Sequence, residues 1–175
     1  MSTIITVLTW LLASSNDAEA LRKTAPSYLT TETAGEQLIA ARIAAATYHL
    51  DADLLLSTAY YESRYTANVV GPVVRGKTAC GVMQPIMETK CIGQTFAEGY
   101  LEGAKHYRGW YDACRGDERC AILGYGGGYA LIKKCAEGPL NVERSGKTFD
   151  LCTLPDVRLG RARWIKRLRS RGNNT

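Results

Sequence analysis

Phe96-Ala97-Glu98-Gly99-Tyr100-Leu101-Glu102-Gly103-Ala104-Lys105-His106-Tyr107-Arg108-Gly109-Trp110-Tyr111 places Phe96, Tyr100, Ala104, Tyr107 and Tyr111 four, four, three and four residues apart. That spacing puts all five on one stripe of an α-helix. A stripe of this kind predicts a helix whose rings enter a core; a sugar-stacking platform is the functional alternative. Upstream, Thr33-Ala34-Gly35-Glu36 has capping-box spacing and predicts a helix to about Tyr48, with Leu38, Ala41, Ala45 and Tyr48 facing inward. Asp51 or Asp53 can cap a further helix carrying Leu54 to Glu62.

Residues 66–95 read as irregular, broken by Gly71-Pro72, Gly76, Pro85 and Gly93. Val69-Val70 and Val73-Val74 can form a small hairpin there, although Pro72 limits pairing. A connection this long in a compact domain usually has a function. Downstream, Asp117 to Leu123 predicts a short helix running into a glycine turn, and Tyr129 to Ala136 resumes helically until Pro139. A last helix is expected after Pro155, capped by Asp156 and ending near Ser170. There is no internal repeat and no low-complexity tract. The expected fold is mainly α, a single domain with a small β-hairpin.

A length of 175 residues suits one domain, and 46% apolar with 22% charged residues excludes a disordered chain. Residues 1–20 read as a signal peptide: Ile4 to Ala13 is apolar and too short to span a bilayer, and Ala18-Glu19-Ala20 offers a cleavage pattern. No Lys or Arg precedes Arg22, so the alternative is an amphipathic first helix packed on the domain. Six cysteines, Cys80, Cys91, Cys114, Cys120, Cys135 and Cys152, point to disulfides in an oxidising compartment. They allow fifteen pairings, among which Cys114–Cys120 and Cys80–Cys91 would close short loops. No C-x-x-C pair occurs and only His49 and His106 could assist, so no metal or other cofactor is expected.

The formal charge is +5, rising to +7 if residues 1–20 leave, since they hold Asp17 and Glu19 and no base. A basic surface is drawn to polyanions. The C-terminal segment concentrates it in Arg158, Arg161, Arg163, Lys166, Arg167, Arg169 and Arg171. Adhesion to anionic wall polymers or a membrane surface is one reading. The other is a solvated helical face, with Leu159, Ala162, Trp164, Ile165 and Leu168 covering the core. No nucleic-acid module is present, and no nucleic-acid partner is expected.

Tyr60-Tyr61-Glu62-Ser63-Arg64-Tyr65 holds the most informative acid. Ala59 and Leu55 precede Glu62 by three and seven residues, on one helical stripe, so the carboxyl is expected at an apolar wall. Such a wall disfavours the charged form, which suits a general acid. The structural alternative is a solvated glutamate at a fraying helix end.

Glu62-Ser63, then Gly81-Val82-Met83-Gln84-Pro85, then Gly124-Tyr125-Gly126-Gly127-Gly128 together resemble the lytic transglycosylase family with the goose-type-lysozyme-like fold. The family pattern is Glu-Ser, Gly-Leu-Met-Gln and Ala-Tyr-Asn-(Ala/Gly)-Gly, and the resemblance spans residues 36–136. Gly126 stands where the family has Asn, and Gly124 where it has Ala. The resemblance implies a lysozyme-like domain that cleaves the β-1,4 bond between N-acetylmuramic acid and N-acetylglucosamine. One glutamate, here Glu62, would act as acid and then base, the substrate's N-acetyl group would assist, and its C6 hydroxyl would attack to give a 1,6-anhydro sugar. Ser63, Met83, Gln84, Tyr125 and Gly127 are then the expected substrate-binding residues, and peptidoglycan strands the partner.

The residues themselves leave alternatives. Gln84 can hold an acetamido group or satisfy loop backbone, Met83 can plug the core, Ser63 can cap the helix, and Tyr125 can orient Glu62 or pack. Between Arg64 and Thr95 the only acid is Glu88, a possible second carboxylate or a surface residue. A hydrolytic muramidase or a non-catalytic glycan-binding protein would carry the same motifs. The expected location is outside the cytoplasm, periplasmic or extracellular, or phage-associated at the cell wall.

Overall fold

The structure, a computed structural model, describes residues 15–74, 76–87 and 95–172. Helix α1 is Ser15–Thr24, α2 Thr31–Tyr48 and α3 Ala52–Ser63. Strands β1 (Val70–Val74), β2 (Lys77–Cys80) and β3 (Ile86–Met87) form an antiparallel sheet in the order β1-β2-β3. Helices α4 (Phe96–Ala113) and α5 (Glu118–Glu137) follow, then the hairpin β4 (Asn141–Arg144) and β5 (Lys147–Asp150), and finally α6 (Leu154–Gly172). The chain is mainly α with small antiparallel strand pairs, as its periodicities predict.

The core forms because each helix turns a small or aromatic stripe inward. Tyr100, Ala104 and Tyr107 of α4 are fully buried, so the aromatic stripe is core. It packs against α2, whose Leu38, Ala41 and Ala45 are buried. Tyr100 donates its hydroxyl to Gln37 Oε1 at 2.7 Å, and Gln37 Nε2 donates to Tyr65 O at 2.9 Å. Two buried polar groups thereby satisfy one another, without the penalty of an orphaned donor. Helix α6 lies across α1 and α3 and closes the domain.

Several boundaries differ from expectation for identifiable reasons. Helix α2 starts at Thr31 and is capped by Thr30; Thr33 is the reciprocal partner of the cap, and its hydroxyl takes the place of the usual Glu. Asp51 caps α3 through Asp53 N and Leu54 N. The valine pairs do not oppose one another across a turn. Val70 and Val73 share β1, with a register shift between them at Gly71-Pro72, and the partner strand is β2. The glycine run is helical through Gly127, and only Gly128 breaks the α5 backbone, at φ 67° and ψ −167°. Helix α6 begins at Leu154 after a 3-10 turn capped by Asp150; Asp156 lies within its first turn, paired with Arg119.

Disulfides Cys114–Cys120 and Cys135–Cys152 are formed, and no described cysteine is free. The first bridges the α4–α5 turn, and the second ties α5 to the start of α6 across the β4–β5 excursion. The expected Cys80–Cys91 pairing involves Cys91, which lies outside the described residues, as do Glu88 and the apolar run before Ser15. Ser15–Ala20, the remainder of the expected signal peptide, form most of α1. There Asp17, Ala18 and Ala20 are buried and Asp17 pairs with Arg42 of α2 at 2.5 Å. Among the described residues no helix is long and apolar enough to cross a membrane.

Candidate functional site

The three motif segments, far apart in sequence, meet at the C-terminal end of α3. Ser63, in its last turn, donates to Val82 O at 2.7 Å or Ala59 O at 3.1 Å, and its oxygen accepts from Thr66 N at 3.2 Å. The serine thus staples α3 to the Gly81–Gln84 loop. On α5, the Tyr125 hydroxyl donates to Met83 O at 2.7 Å. Burial, and then the neighbouring Glu62 carboxylate, push that hydroxyl well above its ordinary range, so it stays a donor.

The loop can approach α4 closely because Gly99 and Gly103 face it. A Cβ at Gly103 would lie 2.4 Å from Met83 Cβ, and one at Gly99 3.0 Å from Val82 Cγ1. Met83 is fully buried and acts as a core plug, with its carbonyl rather than its thioether at the site. Gln84 Nε2 donates to Val69 O and Gly81 O, both at 2.8 Å, so its donors satisfy loop backbone. Gly127 is exposed on α5, where a Cβ would come within 2.8 Å of Leu131 Cβ. Gly124 admits the Trp110 ring, which a Cβ would meet at 2.3 Å. Gly124 thus lets α5 pack on α4, whereas the Gly127 contact lies within α5 itself.

Glu62 is half-buried, with 23% of its side chain exposed. It is paired with Arg158 Nη2 of α6. Arg158 is 3% exposed, and its Nε and Nη1 have no hydrogen-bond partner among the described residues. Its guanidinium carbon lies 5.9 Å from the centre of the Tyr125 ring. Arg158 is the site residue that reading the sequence for motifs missed. A signal existed: Arg158, Ala162, Ile165 and Arg169 are spaced four, three and four, and all four lie on the inward side of α6.

Backbone strain gathers here too. Arg64, Tyr65 and Gln84 adopt positive φ of 57°, 64° and 53°, unusual for residues with a Cβ. Such conformations persist where surrounding contacts over-determine them, often at functional sites.

Two open depressions flank these elements. One of 260 Å³ lies beside the Gln84 loop, between Ile86 and the face of α4 carrying His106. The other, 590 Å³, lies between α2 and the start of α4 and holds none of the motif residues. His49 is an exposed left-handed cap of α2, remote from the motifs in sequence and role. Among the described residues no group of three His, Cys, Asp or Glu side chains is placed to hold a metal. No protein-family model, curated protein or solved structure matches the chain.

Proposed function

We propose that this chain cleaves peptidoglycan strands as an exported lytic transglycosylase of lysozyme-like fold, with Glu62 as acid and then base. The supporting observation is the convergence of α3, the Met83 loop and α5 on Glu62, fastened by the Ser63–Val82 and Tyr125–Met83 hydrogen bonds. A partly exposed carboxylate on such a braced frame can meet a bridging oxygen. It would first protonate the leaving sugar oxygen and then take the proton of the attacking C6 hydroxyl, so one residue serves both transfers. No second carboxylate is needed when the attacking hydroxyl belongs to the substrate. The two disulfides fit an oxidising compartment. The exposed cations of α6 supply attraction to anionic wall polymers.

The Glu62–Arg158 pair and Gly126 favour a second reading, a glycan-binding protein without turnover. In the resting chain a glycan must displace or share the guanidinium before Glu62 can deliver a proton. Digestion of purified sacculi, with mass spectrometry of the products, decides. Anhydro-muropeptides that fall at least ~100-fold with Glu62→Gln support the transglycosylase, the size expected for loss of a general acid. Reducing-end products alone would make it a muramidase. No products from the wild type would leave the binding protein.

A further inference from the structure

His106 and Trp110 stand one turn apart on α4, and Trp110 Nε1 donates to His106 Nε2 at 3.3 Å. An indole can only donate, so Nε2 must accept, which makes the imidazole neutral and leaves its proton on Nδ1. Each ring of this pair is tied to α5. The Trp110 ring fills the notch at Gly124, where a Cβ would come within 2.3 Å of it, and meets the Tyr129 ring at 4.9 Å. The His106 ring meets Tyr125 edge-on at 5.3 Å. Tyr125 in turn donates to Met83 O, so the His106–Trp110 bond stands behind the brace that holds the Gly81–Gln84 loop.

That bond can be opened by a proton. His106 lines the 260 Å³ open depression together with Glu102, Lys105 and Gly109 of its own helix and Pro85 and Ile86 of the loop. A proton arriving on Nε2 would set two N–H groups head to head across the 3.3 Å gap, and one ring must then move. Trp110 is wedged against α5, whereas His106 has the depression beside it. Glu102 lines the same space, and a carboxylate four residues ahead of a cation is the favourable order on a helix. Lys105 opposes the new charge. The loop adds no titratable group there, and α5 faces the ring with the Tyr125 hydroxyl, which stays protonated. Glu62 and Arg158, already paired, act on Tyr125. Burial disfavours the imidazolium and holds the His106 pKa below its ordinary 6.5. The unfolded chain therefore takes up this proton first as pH falls, so the closed arrangement is fully favoured above about pH 6.5 and loses ground below it.

We propose that His106 is a pH-operated latch. Neutral, it holds Trp110 in the Gly124 notch and rests on Tyr125; protonated, it swings toward Glu102 and frees both rings, loosening the Tyr125–Met83 brace. The latch belongs to the frame and holds whatever ligand the site takes.

NMR of the Trp110 indole N–H and the Met83 carbonyl from about pH 8 to about pH 5 tests this across the range in which histidine changes charge. In the wild type both signals should move together, with one midpoint below 6.5. Glutamine supplies an acceptor that does not titrate, so His106→Gln should keep both signals at their neutral-pH positions throughout. Phenylalanine supplies no acceptor, so His106→Phe should hold the Trp110 signal near its wild-type acid position at every pH. Glu102→Gln removes the partner of the swung ring and should lower the wild-type midpoint by about 0.3 pH units. A Trp110 signal that stays flat, a Met83 carbonyl that does not follow it, or a His106→Gln protein that titrates like the wild type would each overturn the latch. An unchanged midpoint in Glu102→Gln would overturn the swing toward Glu102. The glutamine comparison decides even if the phenylalanine variant fails to fold.

Discussion

The inner and outer faces of α6 carry the same kind of side chain and use it in opposite ways. Inside, Arg158 pairs with Glu62, Arg169 Nη1 lies 2.8 Å from Asp53 Oδ1, and Arg161 stacks 3.3 Å from the Tyr60 ring while donating to Thr24 O. Outside, Arg163, Lys166, Arg167 and Arg171 are exposed. The seven cations of the basic tail are therefore divided between an inward-paired set and an exposed set. Helical register assigns Arg158, Arg161 and Arg169 to structure and leaves the other four for solvent or a partner. Charge count alone cannot make that assignment, because burial decides what a cation does.

The sharpest way to break this contrast is to truncate one cation on each face. Arg158→Ala leaves Glu62 half-buried near Tyr125 without its partner and empties a buried position. Loss of one partner of a buried pair costs about 3–5 kcal/mol, and the partial exposure of Glu62 places this case at the low end. Arg163→Ala should stay within about 0.5 kcal/mol. Urea unfolding midpoints compare the two directly, and equal shifts would erase the distinction between faces.

Asp53 tests the inner face by pH. Burial pushes its carboxyl up to about 6, and the nearby Arg169 guanidinium only partly opposes this. A folded-state value above the ordinary 3.8 means the native state holds its proton more tightly than the unfolded chain does. The resulting stabilisation is complete below about pH 4 and is lost as pH rises through about 6. The loss amounts to about 3 kcal/mol. Asp53→Asn should lack this slope. The wild-type stability minus that of the variant should therefore fall by about that amount between pH 4 and pH 7. A flat difference would mean that Arg169 fully offsets the burial.

The sequence declared its helices where a stripe was long, as at Tyr100, Ala104 and Tyr107, and concealed features that depend on partners elsewhere. The β4–β5 hairpin has little alternation, with Val142 facing Phe149 as its one apolar pair. Its only local sign is Ser145-Gly146, whose φ values of 50° and 71° suit a two-residue hairpin turn. The glycine run read as a turn because glycine is permissive, yet Gly124 is there to admit Trp110. At the candidate site the order of motifs indicated which segments converge. Which atoms fasten them was not legible, since Val82 O and Met83 O are backbone groups any sequence would supply. Arg158 was hidden by its basic neighbours, although its spacing from Ala162 and Ile165 matched the core stripe.

The outer face should give the smallest effect on folding and the clearest effect on association. Replacing Arg163, Lys166, Arg167 and Arg171 by Gln lowers the formal charge from +5 to +1, removing four cations from a helix whose own single acid, Asp156, is already paired with Arg119. Among the described residues none of the four makes an ion pair, so each change should alter stability by about 0.5 kcal/mol or less. Retention on an anionic polymer, such as purified teichoic acid on a column, should drop to that of a neutral protein. Wild-type retention should itself vanish as salt rises past about 0.1 M, where screening acts within about 10 Å. Retention that survives the four substitutions and still falls with salt would move the binding surface elsewhere. Retention insensitive to salt would show that charge is not what holds the chain, and Trp164, 37% exposed beside these cations, would become the residue to change next.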